Sequence, residues 1–571
     1  MNDLSDAVEQ LTQTVADLQR RVSALETSAP AAPPLLAQPA PLTPALPAAS
    51  SVPAAHESGV FSILGKAMLG IAGAYLLRAL AESTALPRLP VIALSIVYAF
   101  LWLVPAIRVP AKAWFASVAW AATSALILVP MLWELTLRFR ILPSTVTAAI
   151  LSAFVVAASA LAWKHHFAEV AWVADAAASL AALVLAIATR DLAPFIAALL
   201  LMAIVGEVAA ARHRTLRVRP LVAAAADFAL FALIWIYSSP ASSRANYPSV
   251  AISLLLVFAP ALLLIYAASA AAQTLLLRRG ISVFEIAQTL IAALLTVWTI
   301  LAFWPGHGPL VLGALCLLAS AAGYAVAFAW FDRLHAQRNY HVYSTGSLAL
   351  LLAGSLLSLP PGWLPLCLGF AAVVSILLGT YASRRTLQFH ALALLAAAAF
   401  SSGLLVFALR AMAGAFPLAP GWIVSLTTAG AVICYAAIAR PGEESWSARV
   451  LRLLFAALAI ASTTALLVWT LVRLTAPGAA PATENIAVLR TLVSCAAALL
   501  LAWCGSGWQR RELIWLAWTT LALIAFKLLF EDLRHGHLGF TAASIFLYAV
   551  TILLVPRLLH SRSKAATRGP E

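Results

Sequence analysis

Apolar segments of about twenty residues, each long enough to cross a bilayer as a helix, recur from Val60 almost to the end of the chain. The segments are dominated by Ala and Leu and lack the alternation of membrane β-strands. Only 10% of the residues are charged, whereas soluble globular proteins have roughly 25%. The sequence therefore predicts an all-α, polytopic integral membrane protein, with the lipid bilayer as its surroundings.

The apolar segments predict about 18 transmembrane helices in hairpin-like succession. The predicted ranges are 59–80, 88–106, 112–132, 141–162, 168–188, 192–210, 220–238, 249–272, 283–304, 308–331, 341–358, 362–381, 388–409, 419–439, 448–472, 486–504, 511–530 and 538–558. They make up a transmembrane domain at 59–558, followed by a basic tail at 559–571.

Basic residues are unevenly distributed over the loops between these segments. With a cytoplasmic N-terminus, the inner loops and the tail hold most loop arginines and lysines, as the positive-inside rule requires, so both termini are predicted to be cytoplasmic. Basic signals recur about once per helical hairpin, which fits either internal duplication or the positive-inside rule alone. The formal net charge of +14 is dispersed among these loops, and no basic domain is present to bind nucleic acid.

Residues 1–28 carry the heptad pattern of a coiled coil. Its core positions are Leu4, Val8, Leu11, Val15, Leu18, Val22 and Leu25. Val and Leu in alternate core positions favour a parallel two-stranded coil, so residues 4–25 predict a homodimer through a cytoplasmic coil. An amphipathic helix lying on lipid or on the protein's own loops is the alternative. The Pro/Ala-rich residues 29–58 predict an extended linker.

Ionisable residues inside the apolar segments are the candidates for a functional site, because each is costly in lipid unless it is paired or hydrated. Lys527 lies deep in its predicted helix, with Glu531 at i+4, so a Lys–Glu pair is expected there. The further candidates are Asp532, Asp227, Asp175, Glu207, Lys66, Glu285 and the similarly spaced Arg78 and Glu82. These residues either line a polar path or pair across helices to fix their packing.

Motifs of known chemistry are scarce. All five cysteines lie in apolar segments, without a CxxC pair, and are expected to be small buried side chains. His535-Gly536-His537 lacks a third fixed ligand and is expected to be exposed to solvent. No nucleotide-binding, hydrolase or metalloprotease motif is present, so we predict no catalytic residue, metal or cofactor.

Two stretches resemble a known family. ILGKAMLGIAGAYLLRALAESTALP (63–87) has a glycine-spaced first helix, and LALIAFKLLFEDLRHGHLGFTAASIFLYAVTILL (521–554) has an intramembrane lysine before the last helix. With the N-terminal coil and linker, they are similar to the bacterial predicted membrane proteins of domain-of-unknown-function family 2339. The resemblance implies a multi-pass protein of the bacterial inner membrane and brings no activity or catalytic residues.

Three functions remain open from the sequence. The heptads and linker favour an envelope scaffold or assembly protein that self-associates through the coil. The many helices and buried charges also fit a transporter or flippase, in which Pro130, Pro194 and Pro260 are candidate helix breaks. A membrane-embedded transferase is disfavoured, because such enzymes display polar motifs on a substantial outer loop. The sequence identifies no substrate and no protein partner.

Overall fold

A computed structural model describes much of the chain. The described residues are 19–20, 54–82, 88–108, 114–165, 168–212, 218–242, 244–334, 336–413, 419–438, 445–475, 483–532 and 538–567. Every regular element in them is a helix, which confirms the all-α prediction for this part of the chain. The chain divides into two compact units, Met1–Ser62 and Ile63–Glu571. The heptad core positions lie outside the described residues, which in that segment include only the helical Gln19 and Arg20.

The helices of the N-terminal half follow one another through short connections. They are α1 (Ala54–Glu82), α2 (Arg88–Leu101), α3 (Leu103–Arg108), α4 (Trp114–Trp133), α5 (Ser144–His165), α6 (Ala168–Thr189), α7 (Leu192–Ala211), α8 (Arg219–Ser238), α9 (Ile252–Ala271) and α10 (Val283–Phe303). Sequential helices such as α5 and α6, or α9 and α10, pack on each other as hairpins, as expected for short loops.

The C-terminal half continues in the same way. Its helices are α11 (Gly308–Val326), α12 (Gln337–Ser358), α13 (Leu364–Tyr381), α14 (Arg385–Ser401), α15 (Leu404–Met412), α16 (Trp422–Ile438), α17 (Trp446–Thr475), α18 (Thr483–Gly507), α19 (Arg511–Lys527) and α20 (Leu538–Thr567). The closest hairpins are α11–α12 and α13–α14, and α18 packs on both α19 and α20.

Among the described helices, 14 are long and apolar enough to cross a membrane, and up to 15 are when the bent pair α14–α15 counts as one span. This architecture is consistent with a helical polytopic membrane protein. Ser62–Leu76 and Trp422–Ile438 are apolar but shorter, and α12 begins with the polar sequence QRNYHVYST. The total of 18 predicted helices therefore stays a prediction.

Helix breaks do not occur where the prolines predicted them. Pro130 and Pro260 lie inside continuous helices, and Pro194 sits in the first turn of α7, where a missing N–H costs nothing. The sharp break is instead at Gly403, between α14 and α15, where the chain bends by 69°. Gly403 has a φ of 74°, a left-handed conformation that glycine adopts without the steric penalty of a Cβ atom.

π-helical turns extend four of the helices at their C-terminal ends. They are Glu134–Arg138 after α4, Ala272–Leu276 after α9, Ala327–Phe331 after α11 and Leu528–Asp532 after α19. A π turn closes on i→i+5 bonds and changes which side chains share a face of the helix. The last of these turns determines the geometry of the site described below.

Two predicted domain boundaries differ from the helix ends. Helix α1 begins at Ala54, inside the predicted linker, and α20 continues to Thr567, so most of the predicted tail is helical. All five cysteines are free. Cys434 and Cys495 are buried as predicted, whereas Cys367 is exposed on α13.

Candidate functional site

Lys527, the intramembrane lysine predicted from the sequence, is the last residue of α19 and is held by three acceptors. Its Nζ donates to the Ala487 carbonyl and to Thr491 Oγ1, both at 2.7 Å, and to Asp532 at 2.9 Å. The acceptors on α18 and the carboxylate after α19 neutralise and solvate the ammonium. The lysine therefore connects α19 to α18 through its bonds to Ala487 and Thr491. Its ion pair with Asp532 lies within α19 and the following π turn and is nearly buried, with side-chain exposures of 14% for Lys527 and 3% for Asp532.

The carboxylate on Lys527 is Asp532, not the Glu531 expected from i+4 spacing. Residues Leu528–Asp532 form a π turn, in which the residue at i+5 takes the place that the residue at i+4 has in an α-helix. Glu531 is turned toward α18, where its Oε1 lies 2.6 Å from Arg490 Nη1. The expected Lys–Glu pair is thus replaced by two ion pairs.

Arg490 connects these pairs to a third helix. It is only 3% exposed and also donates to the Met412 carbonyl at the end of α15. Lys527, Asp532, Arg490, Glu531 and Thr491, here named the C-terminal cluster, therefore join α15, α18 and α19. Because each charge in the cluster has a counter-charge, the arrangement avoids the large cost of an unpaired ion between helices.

Glu207 belongs to a second group, here named the N-terminal cluster. Arg219 on α8 donates to it through Nε at 3.1 Å and through Nη2 at 2.6 Å. Ser269 on α9 adds a donor at 2.5 Å and in turn accepts from Gln273. The Arg219 guanidinium also lies 5.0 Å from the centre of the Phe284 ring, so this cluster joins α7, α8, α9 and α10.

Asp227 and Glu285 have simpler surroundings. Asp227 is half-buried on α8 and accepts a 2.8 Å bond from the buried amide of Gln288 on α10. Glu285 accepts from the backbone N–H of Ser282, whose hydroxyl accepts from the backbone N–H of Glu285. This reciprocal pair is a capping box at the start of α10, which gives Glu285 a local structural role.

Asp175 is the exception among the predicted residues. It lies on α6, is 1% exposed, and its Oδ1 has no hydrogen-bond partner among the described residues. Ser159 Oγ on α5, the helix packed against α6, is likewise buried without a partner in the described part of the chain. A carboxyl group in such surroundings is expensive to ionise.

The remaining predicted residues do not join these groups. Lys66 is exposed on α1. The side chains of Arg78 and Glu82, and His535 and His537, lie outside the described residues. Within the described part of the chain, no group of three or more His, Cys, Asp or Glu side chains is arranged to hold a metal ion.

Three further ion pairs were not anticipated from the sequence. Arg452 on α17 lies 3.0 Å from Glu512 on α19, and Arg510 approaches the same carboxylate at 3.8 Å. Asp332 accepts two bonds of 2.7 Å from Arg384 in the turn before α14. The available signal was Arg452 itself, a cation inside a predicted apolar segment. Its partner was hidden because Glu512 follows the basic turn Arg510-Arg511, which was interpreted only as a topology signal.

Comparisons with family models, with curated protein sequences and with solved structures returned no match. The resemblance of the two ends of the chain to a family of bacterial membrane proteins therefore stays a prediction. Within the described residues, the structure is a helical bundle whose buried charged side chains, with the exception of Asp175, have hydrogen-bond or ion-pair partners.

Proposed function

We propose that this protein is a multi-pass scaffold or assembly protein of the bacterial inner membrane, which associates with further copies of itself through its N-terminal heptads. The bundle serves as a stable membrane anchor for the coil. This proposal is not based on an enzymatic centre or a cofactor.

The observation that supports this proposal best is that the interior charges of both clusters are paired with each other. A transport path through polar residues requires charges that exchange partners as the path opens to each side. In the C-terminal and N-terminal clusters, the charges are instead paired at distances of 2.6–3.1 Å, and the pairs Glu207–Arg219 and Arg490–Glu531 each connect two helices. Such pairs act as fixed connections between helices, which is what an anchor needs.

Self-association is tested on the full-length protein in detergent by light scattering. Leu11→Asp with Leu18→Asp places two charges in the predicted heptad core, and Gln10→Asp with Gln13→Asp adds the same charges outside it. We expect the variant with charges in the heptad core to have half the molecular mass of the wild type, and the variant with charges outside the core to have the same mass as the wild type. Equal masses for all three proteins, or a monomeric wild type, would contradict the role of the coil.

A transporter or flippase is the second candidate, and Asp175 favours it. A buried carboxyl group without a partner is expensive to retain in a purely structural bundle, and in membrane proteins such groups often carry protons. Asp175→Asn keeps the shape of the side chain and removes its titratable group. If both Asp175→Asn and Asp175→Leu complement a deletion strain, transport through Asp175 is excluded.

The two functions differ in what they demand of Asp175 and of the coil. A scaffold tolerates Asp175→Asn but loses function with the Leu11→Asp and Leu18→Asp double variant. A carboxyl-dependent transporter shows the opposite pattern, provided that both variants reach the membrane in wild-type amounts by immunoblotting.

A further inference from the structure

A cavity of about 200 Å³ lies between α1, α2 and α4, away from both polar clusters. Its walls are mainly apolar side chains, including Ile71, Ile92 and Met131. Phe139 and Ile141, which follow the π turn after α4, form the end of the cavity that is nearest the predicted outer surface. The cavity therefore begins at a helix end and extends between apolar helix faces.

The sequence of α4 explains why this helix leaves a space. Pro130 has no N–H, so the carbonyl of Leu126, four residues earlier, receives no α-helical bond, and both residues line the cavity. One turn later the helix widens into the π turn Glu134–Arg138. π turns inside or at the end of α-helices are frequent at functional sites.

The opposite wall is held by close packing of α1 on α2. The Tyr98 hydroxyl donates to the Gly70 carbonyl at 3.0 Å, and a Cβ atom on Gly73 would lie 2.6 Å from that hydroxyl oxygen. A Cβ atom on Gly70 would overlap the Trp102 ring. Two glycines of the first helix are therefore needed for Tyr98 on α2 and Trp102, which directly follows α2, to reach their positions. These contacts keep the cavity walls in place.

Charged side chains border the outer end of the cavity. Arg138 is exposed, and its guanidinium lies 5.4 Å from the centre of the Phe139 ring. Arg140 is also exposed and stands between Phe139 and Ile141 in the chain, with a φ of 50°. Glu134, which is half-buried, contributes a carboxylate to the cavity wall. Two positive charges and one negative charge therefore lie beside an apolar space.

We infer that this cavity binds an aminophospholipid, with part of an acyl chain between α1, α2 and α4 and the head group at Arg138, Arg140 and Glu134. A methylene group is about as large as a water molecule, whose share of liquid volume is about 30 Å³, so 200 Å³ accommodates a segment of one chain. The phosphate faces the two guanidinium groups, which bind phosphate well. The amine faces Glu134, which disfavours a purely anionic head group.

This inference is independent of the proposed function, since a scaffold and a transporter can both hold such a lipid. It is tested with the full-length protein in nanodiscs containing equal amounts of phosphatidylethanolamine and phosphatidylglycerol. After transfer to detergent, retained lipid is measured by mass spectrometry. We expect phosphatidylethanolamine to be enriched over its bulk fraction, and Arg138→Ala and Arg140→Gly to reduce its retention by about five-fold each.

Arg140→Gly preserves the positive φ while removing the charge, and Arg190→Gly is its matched control. Arg190 also has a positive φ, of 60°, in the turn between α6 and α7, and it does not line the cavity. Met131→Trp fills the cavity without changing any charge and is expected to abolish the enrichment. Lack of enrichment in the wild type, enrichment of phosphatidylglycerol instead, or equal losses for Arg140→Gly and Arg190→Gly would each overturn the inference.

Discussion

The two halves of the transmembrane bundle are held together differently. In the N-terminal half, one continuous apolar core runs from Ala99 on α2 to Leu295 on α10. In the C-terminal half, the buried apolar residues of α11–α20 divide into several smaller clusters. An apolar groove of about 460 Å³ lies between α17 and α18, which follow one another in the chain and provide most of its lining.

The buried charged side chains also differ between the two halves. Arg452, Glu512 and Arg490 are 6%, 3% and 3% exposed, and all three lie in the C-terminal half. The N-terminal core is instead rich in alanine, and small side chains allow helix backbones to approach closely and gain dispersion contacts. Within the described residues, the N-terminal half thus combines one continuous apolar core with the interior ion pair Glu207–Arg219. The C-terminal half combines divided apolar clusters with several interior ion pairs, among them Arg490–Glu531 and Arg452–Glu512.

The largest effect is expected from breaking the C-terminal cluster. Lys527→Ala leaves the Asp532 carboxylate, which is 3% exposed, and the Ala487 carbonyl without their donor, which is expected to cost about 3–5 kcal/mol because an uncompensated buried charge remains. The measurement is the free energy of unfolding of the purified protein in mixed detergent. Arg410→Ala, an exposed arginine on α15, is the control and is expected to change stability by less than about 0.5 kcal/mol. Similar values for both variants would remove ion pairing as the stabilising feature.

The second prediction concerns the continuous core. Leu199 on α7 is 0% exposed, and Leu199→Ala is expected to destabilise the protein by about 2–5 kcal/mol through lost contacts and a cavity. Leu467 on α17 lines the groove between α17 and α18 and is 55% exposed. Leu467→Ala is therefore expected to cost less than about 1 kcal/mol. The same unfolding assay compares them. If Leu467→Ala is as damaging as Leu199→Ala, the groove is a packed core and the contrast between the halves fails.

The sequence predicts the helices well because the bilayer sets one length scale for all of them. Runs of Ala and Leu of that length favour helices in lipid, so the approximate positions of the helices follow from hydropathy. It also identifies Lys527, Glu207 and Asp227 as buried polar residues, since a charge inside an apolar run is visible without a structure.

The partners of buried charged side chains and the positions of helix breaks are much harder to predict from the sequence. Arg490 lies near the start of the predicted segment 486–504, and its burial against Glu531 was not predicted. The choice of Asp532 over Glu531 depends on one π turn, which carries no recognisable sequence signal. Likewise, Pro130 and Pro260 stay within helices because lipid and neighbouring helices leave the chain few alternatives, whereas Gly403 bends.

A smaller effect is expected at the close contact between α11 and α12. A Cβ atom on Gly354 would lie 2.8 Å from the Gly313 carbonyl oxygen and 3.0 Å from the Leu317 nitrogen, so Gly354→Ala forces the backbones apart. We expect a loss of about 1–3 kcal/mol. Gly346 on the same helix faces open space, and Gly346→Ala is expected to be neutral or to stabilise by up to about 1 kcal/mol through helix propensity. Equal effects on unfolding would show that α11 and α12 are not closely packed.

The smallest loss of stability is expected at Asp227. Its size shows whether the side chain acts as a hydrogen-bond acceptor or through its negative charge. Asparagine still offers an Oδ1 to the Gln288 amide, so Asp227→Asn is expected to cost less than about 1 kcal/mol. Asp227→Ala removes the acceptor and leaves the buried amide unpaired, at a cost of about 1–3 kcal/mol. A large loss of stability for Asp227→Asn would mean that the negative charge itself holds α8 to α10. The N-terminal half would then depend on charge at Asp227 as well as at the Glu207–Arg219 pair, and the difference between the halves would be one of degree.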